Sequence, residues 1–260
     1  MDFALTPKQL ELQERAEKLG RSFAEQAREW DESDEAPYRE IFDRVGAEGL
    51  FGVAMPTEYG GQGGGAIEYL IVVEALFRYA QSWLPPEPVF CTSGPGPSMF
   101  LLGGDTVREK YLHDIVGGRR ACNIALTEPQ AGSALTHLST TAVRDGDAYI
   151  LNGAKSFLTG SNVNDLNATF VRFDDVPGAK GIGAIVVEHS MPGVEIRRGP
   201  VYIGDRGIHH GDMVLRDVRV PAENVIVGAG QFARLMTAFN LERLHNCGFW
   251  LGFSRVRYRS

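Results

Sequence analysis

The hydrophobic period of this chain changes near Arg120, and that change limits the possible folds more than any other feature. Before it, Leu10, Ala16, Leu19 and Phe23 recur at helical spacing. Thr6-Pro7-Lys8-Gln9 joins a capping-box pattern to proline at the first helical position, which predicts a helix from there to about Trp30. Further helices are predicted over Tyr38–Glu48, Ile67–Ala80, Pro97–Leu102 and Thr106–Val116. After Arg120 the spacing becomes that of strands. Thr140–Val143 and Ala148–Leu151 flank Arg144-Asp145-Gly146-Asp147, where Asp-Gly supplies the positive φ that a tight hairpin requires. Strands are also predicted over Arg120–Leu126, Ala168–Phe173, Ile182–His189, Val194–Arg197 and Asp212–Val218, with Pro221 closing the last. From about Gly230 a helical face returns through Phe232, Leu235, Met236 and Phe239.

This order implies an α+β protein. The expected parts are an N-terminal α-helical domain (1–120), an antiparallel β-barrel or sandwich-like domain (121–228), and the start of a C-terminal helical bundle (229–260). The final residues Val256 to Ser260 carry no stop signal, so the last element reads as cut short.

Composition removes several classes of function. A net charge of −7 provides no basic footprint for nucleic acid or an anionic membrane. The most apolar run, Tyr69–Phe77, contains Glu74 and is too short to span a bilayer. The opening MDFALTPKQ lacks the basic-then-apolar order of a secretory signal. Three cysteines without CxxC spacing suit neither a disulfide framework nor zinc, so a reducing cytoplasm is expected. His209 and His210 are adjacent and in a strand would point to opposite faces, so no shared metal site is expected. The glycine run Tyr59–Gly65 (YGGQGGG) is not followed by GK[ST] and reads as a loop.

Residues 125–133, ALTEPQAGS, follow the first predicted strand. Proline biases Glu128 toward extended geometry, and Ala131, Gly132 and Ser133 then offer backbone amides and a hydroxyl with little bulk. The stretch resembles the first signature of the flavin-dependent acyl-CoA dehydrogenases. YILNGAKSFLTGS (149–161) resembles the second. DTVREKYLHDIVGGRRACNIAL (105–126), LRDVRVPAENV (215–225) and AFNLERLHNCG (238–248) are similar to the segments around them, in the family's order along nearly the whole chain.

The resemblance implies FAD, an acyl-CoA substrate and an electron-transferring flavoprotein as electron acceptor. It implies removal of an α-proton by a carboxylate and delivery of the β-hydride to the flavin. Carried over residue by residue, Ile124, Ala125, Leu126, Thr127, Gly132 and Ser133 run along the flavin, while Phe157, Leu158 and Thr159 line a second contacting strand. Ser133, Asn240 and Arg243 fall at substrate positions. Glu128 is implied to order its loop. Most family members carry the catalytic glutamate farther toward the C-terminus. A minority, typified by isovaleryl-CoA and long-chain acyl-CoA dehydrogenases, place it on the helix after the β domain, before an arginine; here that residue is Glu242, followed by Arg243.

Two departures stand out. Ala134 occupies the place of the usual aspartate after Gly-Ser. The helical domain that in the family builds a tetramer core and supplies an oxyanion-hole amide is expected to be missing beyond its first helix. A homo-oligomer, tetramer or dimer, is implied where that domain is present. A non-catalytic partner subunit that keeps the fold, and an oxygen-using acyl-CoA oxidase, are the alternative readings.

Overall fold

The computed structural model describes residues 4–84 and 86–259. The first three residues of MDFALTPKQ, and Ser260 of the terminal run, lie outside the described residues. Six helices come first: α1 (Pro7–Ser33), α2 (Tyr38–Ala47), α3 (Ala66–Ala80), α4 (Glu87–Ser93), α5 (Pro95–Leu101) and α6 (Asp105–Val116). The capping box forms as read: Thr6 Oγ1 accepts from Gln9 N, and Gln9 Oε1 accepts from Thr6 N. Helix α4 is absent from the sequence-based expectations because Pro86 and Pro88 bracket its start. Both prolines sit at its entry, where a missing N–H removes no intrahelical bond.

Eight strands form one mixed sheet: β1 (Cys122–Ala125), β2 (Thr141–Asp145), β3 (Ala148–Thr159), β4 (Leu166–Phe173), β5 (Ile182–Glu188), β6 (Val194–Arg197), β7 (His210–Pro221) and β8 (Val225–Val227). The order is β6-β7-β3-β2-β4-β5-β8, with β1 also beside β4. The hairpin turn lies where Asp-Gly placed it, with Asp145 opposite Ala148 and Gly146 at φ +61°. Pro221 ends β7. The antiparallel expectation holds for β2–β3, β3–β7, β4–β5, β5–β8 and β6–β7, but β1 and β2 both run parallel to β4.

The parallel pairing splits one edge of β4. β1 pairs with Leu166 to Thr169 and β2 with Arg172 and Phe173. Residues 126–140 leave the β4 ladder between the two strands, until Thr140 O again accepts from Arg172 N at 2.8 Å. β4 and β5 are buried on both faces, as expected of strands covered on both sides. Ala168 and Phe170 pack toward α5, α6 and the start of the last helix, α7 (Phe232–Arg259). Val171 and Phe173 pack on the other face with Leu151, Leu158 and Val218. A third core joins α1, α2, α3 and the later part of α7. At Gly252 of α7 an added Cβ would lie 2.7 Å from the Glu74 carbonyl oxygen, so α7 approaches α3 closely only because that residue is glycine.

Candidate active site

The two segments expected to line a flavin meet. After Ala125 the chain leaves β1 but stays beside the second half of β3, where Ser156 N donates to Thr127 O at 2.8 Å. Lys155 Nζ donates to Leu126 O at 3.2 Å, and Asn123 Nδ2 donates to Thr159 O at 3.2 Å. Residues around Thr127 and Thr159, far apart in sequence, therefore share one edge.

Side-chain directions divide the expected flavin residues. Ala125 and Leu158 are buried in the sheet core, so only their backbone groups are available to a ligand. Ile124 and Leu126 pack against the cluster that contains Leu235 and Ala238 of α7. Thr127 and Thr159 are half-buried, and Gly132 and Ser133 are exposed. Phe157 is 59% exposed at φ +59°, where the β3–β7 register shifts between Lys155 and Leu158. The bulge turns the ring out of the sheet and buries its neighbour Leu158. A bulky residue in the left-handed region is strained, and such strain concentrates at functional sites.

Beneath this edge lies a buried ion pair. Glu128 is 2% exposed and Lys155 fully enclosed, with Nζ 2.7 Å from Oε1. The same carboxylate accepts from Thr140 N (3.0 Å), Ser139 N (2.7 Å), Ser139 Oγ (3.0 Å) and Gln130 Nε2 (2.7 Å). Burial alone would raise its pKa, but the Lys155 charge and these donors hold it down to about 2. Glu128 thus orders the loop. Lys155 is a site residue that the sequence reading missed. It shares the inward-facing parity of Leu151 on β3, and a lysine there requires a buried acceptor, which Glu128 was available to supply.

The loop also lacks the usual carboxylate at Ala134, yet it is held. Arg172 donates to Leu138 O (3.0 Å), Thr136 O (2.8 Å), Val176 O (2.5 Å) and Gly178 O (3.2 Å).

The helix residues form a separate group. Leu235, Ala238, Glu242, His245, Phe249 and Gly252 recur at alternating steps of three and four and form the inward stripe of α7; all but half-buried Glu242 are buried. Burial raises the Glu242 pKa against the lowering influence of Arg243. Asn240 and Arg243 are exposed and bond to each other at 3.0 Å. Among the described residues no hydrogen bond links Glu242, Asn240 or Arg243 to residues 124–133 or 157–159. They are connected through apolar packing of α7 against Ile124 and Leu126.

The groups present suit a flat ring with polar edges. An exposed aromatic side chain and two half-buried threonines belong to segments that share one edge, and the small Gly132-Ser133 backbone that follows Thr127 in the chain is exposed.

Comparison with known proteins gives a consistent result. The description "Acyl-CoA dehydrogenase, N-terminal domain" matches residues 6–119 and "Acyl-CoA dehydrogenase, middle domain" matches residues 123–218. The chain is 36% identical over 217 residues to 3-(aryl)acrylate reductase of Clostridium sporogenes, covering 80% of this chain and 56% of that protein. It is 35% identical over 237 residues to the Caffeyl-CoA reductase-Etf complex subunit CarC of Acetobacterium woodii, covering 87% and 61%. The solved structure of butyryl-CoA dehydrogenase from Megasphaera elsdenii superposes with a TM-score of 0.88 at 27% identity, covering 98% of this chain and 68% of that one. The chain therefore spans about three fifths of the length of these curated relatives.

Proposed function

The chain belongs to the acyl-CoA dehydrogenase family, and from that premise we propose that it takes part in α,β-dehydrogenation of an acyl-CoA thioester with FAD as cofactor. The observation that carries this reading is the Ser156 to Thr127 backbone bond, which joins the two signature segments into one edge. On this reading Ile124 to Thr127, Gly132, Ser133 and Phe157 to Thr159 hold the flavin. Ala125 and Leu158 act through their backbone, and Phe157 through its ring. When bound, FAD supplies the acceptor for the β-hydrogen and its electron pair.

Glu242 is the proposed base. The α C–H bond breaks, its proton passes to the Glu242 carboxylate, and its electron pair forms the new C=C bond. A base works best with a pKa near the working pH, and burial moves Glu242 in that direction. On this reading Ser133 contacts the substrate, and Asn240 and Arg243 its CoA portion. Bonding between Asn240 and Arg243 orients the guanidinium before substrate arrives.

An electron-transferring flavoprotein is the proposed redox partner; the Etf-complex relative supports that class. We also propose a cytoplasmic location and, where the C-terminal helical domain is present, a homo-oligomer, tetramer or dimer. Buried Cys91 and Cys122 and exposed Cys247 are all free, which suits a reducing compartment. No described helix is long and apolar enough to cross a membrane.

A second reading is favoured by the relatives' names, since two are reductases. By microscopic reversibility the same groups serve: protonated Glu242 returns a proton to the α-carbon of an enoyl thioester, and reduced FAD, when bound, would supply the hydride for the β-carbon. Dehydrogenation is tested by anaerobic absorbance spectra with a panel of saturated acyl-CoAs, and the reverse direction by return of flavin colour when an enoyl-CoA is added to the reduced protein. The expected result is flavin bleaching that Glu242→Gln abolishes while flavin stays bound; unchanged bleaching would remove Glu242 from the chemistry.

A further inference from the structure

Of the two adjacent histidines only His210 belongs to β7, and no role above falls to it. It stands opposite Thr159 in the antiparallel β3–β7 pair, one position past the Leu158–Gly211 pair. Directly opposed residues of such a pair put their side chains on one face, about 5 Å apart at Cβ. Leu158 and Met213 point into the sheet core, so Thr159 and His210 share the opposite face. Burial along β7 repeats the alternation: His210, Asp212 and Val214 are half-buried, while Gly211, Met213 and Leu215 are buried. Ile124 also faces away from that core, toward α7, on the side of β3 where Asn123 Nδ2 reaches Thr159 O. Half-buried Thr159 thus lies between Ile124 on one flank and His210 on the other.

The His210 ring is held with one nitrogen free. Nδ1 lies 3.2 Å from Ile208 O, and a carbonyl only accepts, so Nδ1 carries the hydrogen and Nε2 keeps its lone pair. The Tyr202 ring, from the loop before β7, packs edge-on against the imidazole with centroids 5.0 Å apart. Burial pushes the His210 pKa below the ordinary histidine value against the raising influence of Asp205, so the ring is mainly neutral at pH 7. Among the described residues no hydrogen bond engages Nε2, and the atom is not enclosed; His209 Nε2, by contrast, is buried without a partner.

We propose that His210 is a third part of the flavin-binding edge, its Nε2 accepting a hydrogen bond from bound FAD beside Thr159. The inference rests on the reading of Phe157 to Thr159 as flavin residues, but the register that pairs His210 with Thr159 does not. A bare imidazole nitrogen accepts and cannot donate. It therefore selects a donor of the cofactor, the ring N–H or a ribityl hydroxyl, and disfavours the ring carbonyls. The apolar side chains of Ile124, Ala125, Leu126, Phe157 and Leu158 offer no such acceptor. Asp212, the next residue on the same face, stands opposite Arg197 of β6, which leaves His210 as the uncharged acceptor on that flank.

The test is nitrogen-15 NMR of the histidine rings in the full chain, with the His210 signals assigned by their loss in His210→Gln. Added FAD should move the Nε2 signal from that of a bare nitrogen toward that of a hydrogen-bonded one, with Nδ1 nearly unchanged. Lumiflavin, which lacks the ribityl chain, separates the two donors: a shift with lumiflavin assigns the ring N–H, and a shift with FAD but not with bound lumiflavin assigns a ribityl hydroxyl. His210→Leu should weaken FAD binding, followed by flavin fluorescence, about fivefold, the net worth of one hydrogen bond. His210→Gln, whose amide oxygen takes the place of Nε2, should bind FAD like the parent. Bound FAD with an unmoved Nε2 signal, or Leu and Gln variants that bind FAD alike, overturns the proposal. If His210→Leu does not fold, the Nε2 shift of the parent decides. A parent chain that binds no FAD would sink the flavin reading itself, an outcome distinct from FAD bound with His210 untouched.

Discussion

Lys155→Met tests whether the buried ion pair holds the proposed flavin edge. The substitution keeps most of the side-chain volume and removes the ammonium 2.7 Å from Glu128. Breaking a buried pair from one side costs about 3–5 kcal/mol, because the remaining charge is left in a poor medium. Glu128 keeps donors from Thr140, Ser139 and Gln130, so the cost should fall at the low end, about 3 kcal/mol. With a urea dependence near ~3 kcal/mol/M for a chain of this size, the midpoint of urea unfolding followed by circular dichroism should drop by about 1 M. Amides of residues 127–140 should exchange faster in the variant. Adding Glu128→Gln should cost less than the sum of the two single changes, since each single change strands the other partner. A single-variant loss below about 1 kcal/mol, or strict additivity in the double variant, would refute the claim that this pair organises the loop.

Two more outcomes follow from the same edge. Glu128 titrates at about 2 when folded and near its ordinary value of 4.5 when unfolded, so its contribution is complete above about 4.5 and fades as pH falls toward 2. Acid unfolding of Glu128→Gln/Lys155→Met should therefore show a shallower slope in that window, and a slope equal to the parent's would sink the argument. Phe157→Gly removes a side chain from a left-handed position worth about 1 kcal/mol in strain, so the flavin-free protein should melt about 2–4 °C higher while its affinity for FAD falls. Loss of melting temperature together with affinity would show that the ring belongs to the core.

Much of the architecture was legible because its signals are local. The Thr6–Gln9 box, the Asp145-Gly146 turn and the Pro221 stop each act within a few residues, and each acts where it was read. β3 was harder. Its run beyond Leu151 contains Gly153 at φ +148°, packed on Thr140, and a bulge at Phe157, so alternation breaks before the strand does. The meeting of Thr127 with Ser156 was reachable only through family resemblance, because nothing local sets that register. Tyr69 and His245 are 176 residues apart, and no periodicity reports such a contact. The parallel pairing of β1 and β2 with β4 was hidden for a similar reason: a strand's composition does not reveal its partner's direction.

The split along β4 also explains why charged side chains appear where a sheet would ordinarily use backbone. Most of segment 126–140 has left the ladder; beyond the backbone bonds of Thr127, Thr140 and the Glu128–Ala131 turn, its amides and carbonyls need partners of another kind. Glu128 accepts from two backbone amides, Ser139 and Thr140, while Arg172 donates to two backbone carbonyls, Thr136 and Leu138. One anion and one cation thus supply, from opposite sides, partners that strand pairing does not give these groups. Lys155 anchors the anion to β3, and Arg172 belongs to β4, so the loop is tied to both strands that flank the split. The edge carrying Thr127 is therefore set by the fold before any cofactor arrives, and binding a planar ring there should require little ordering of the chain.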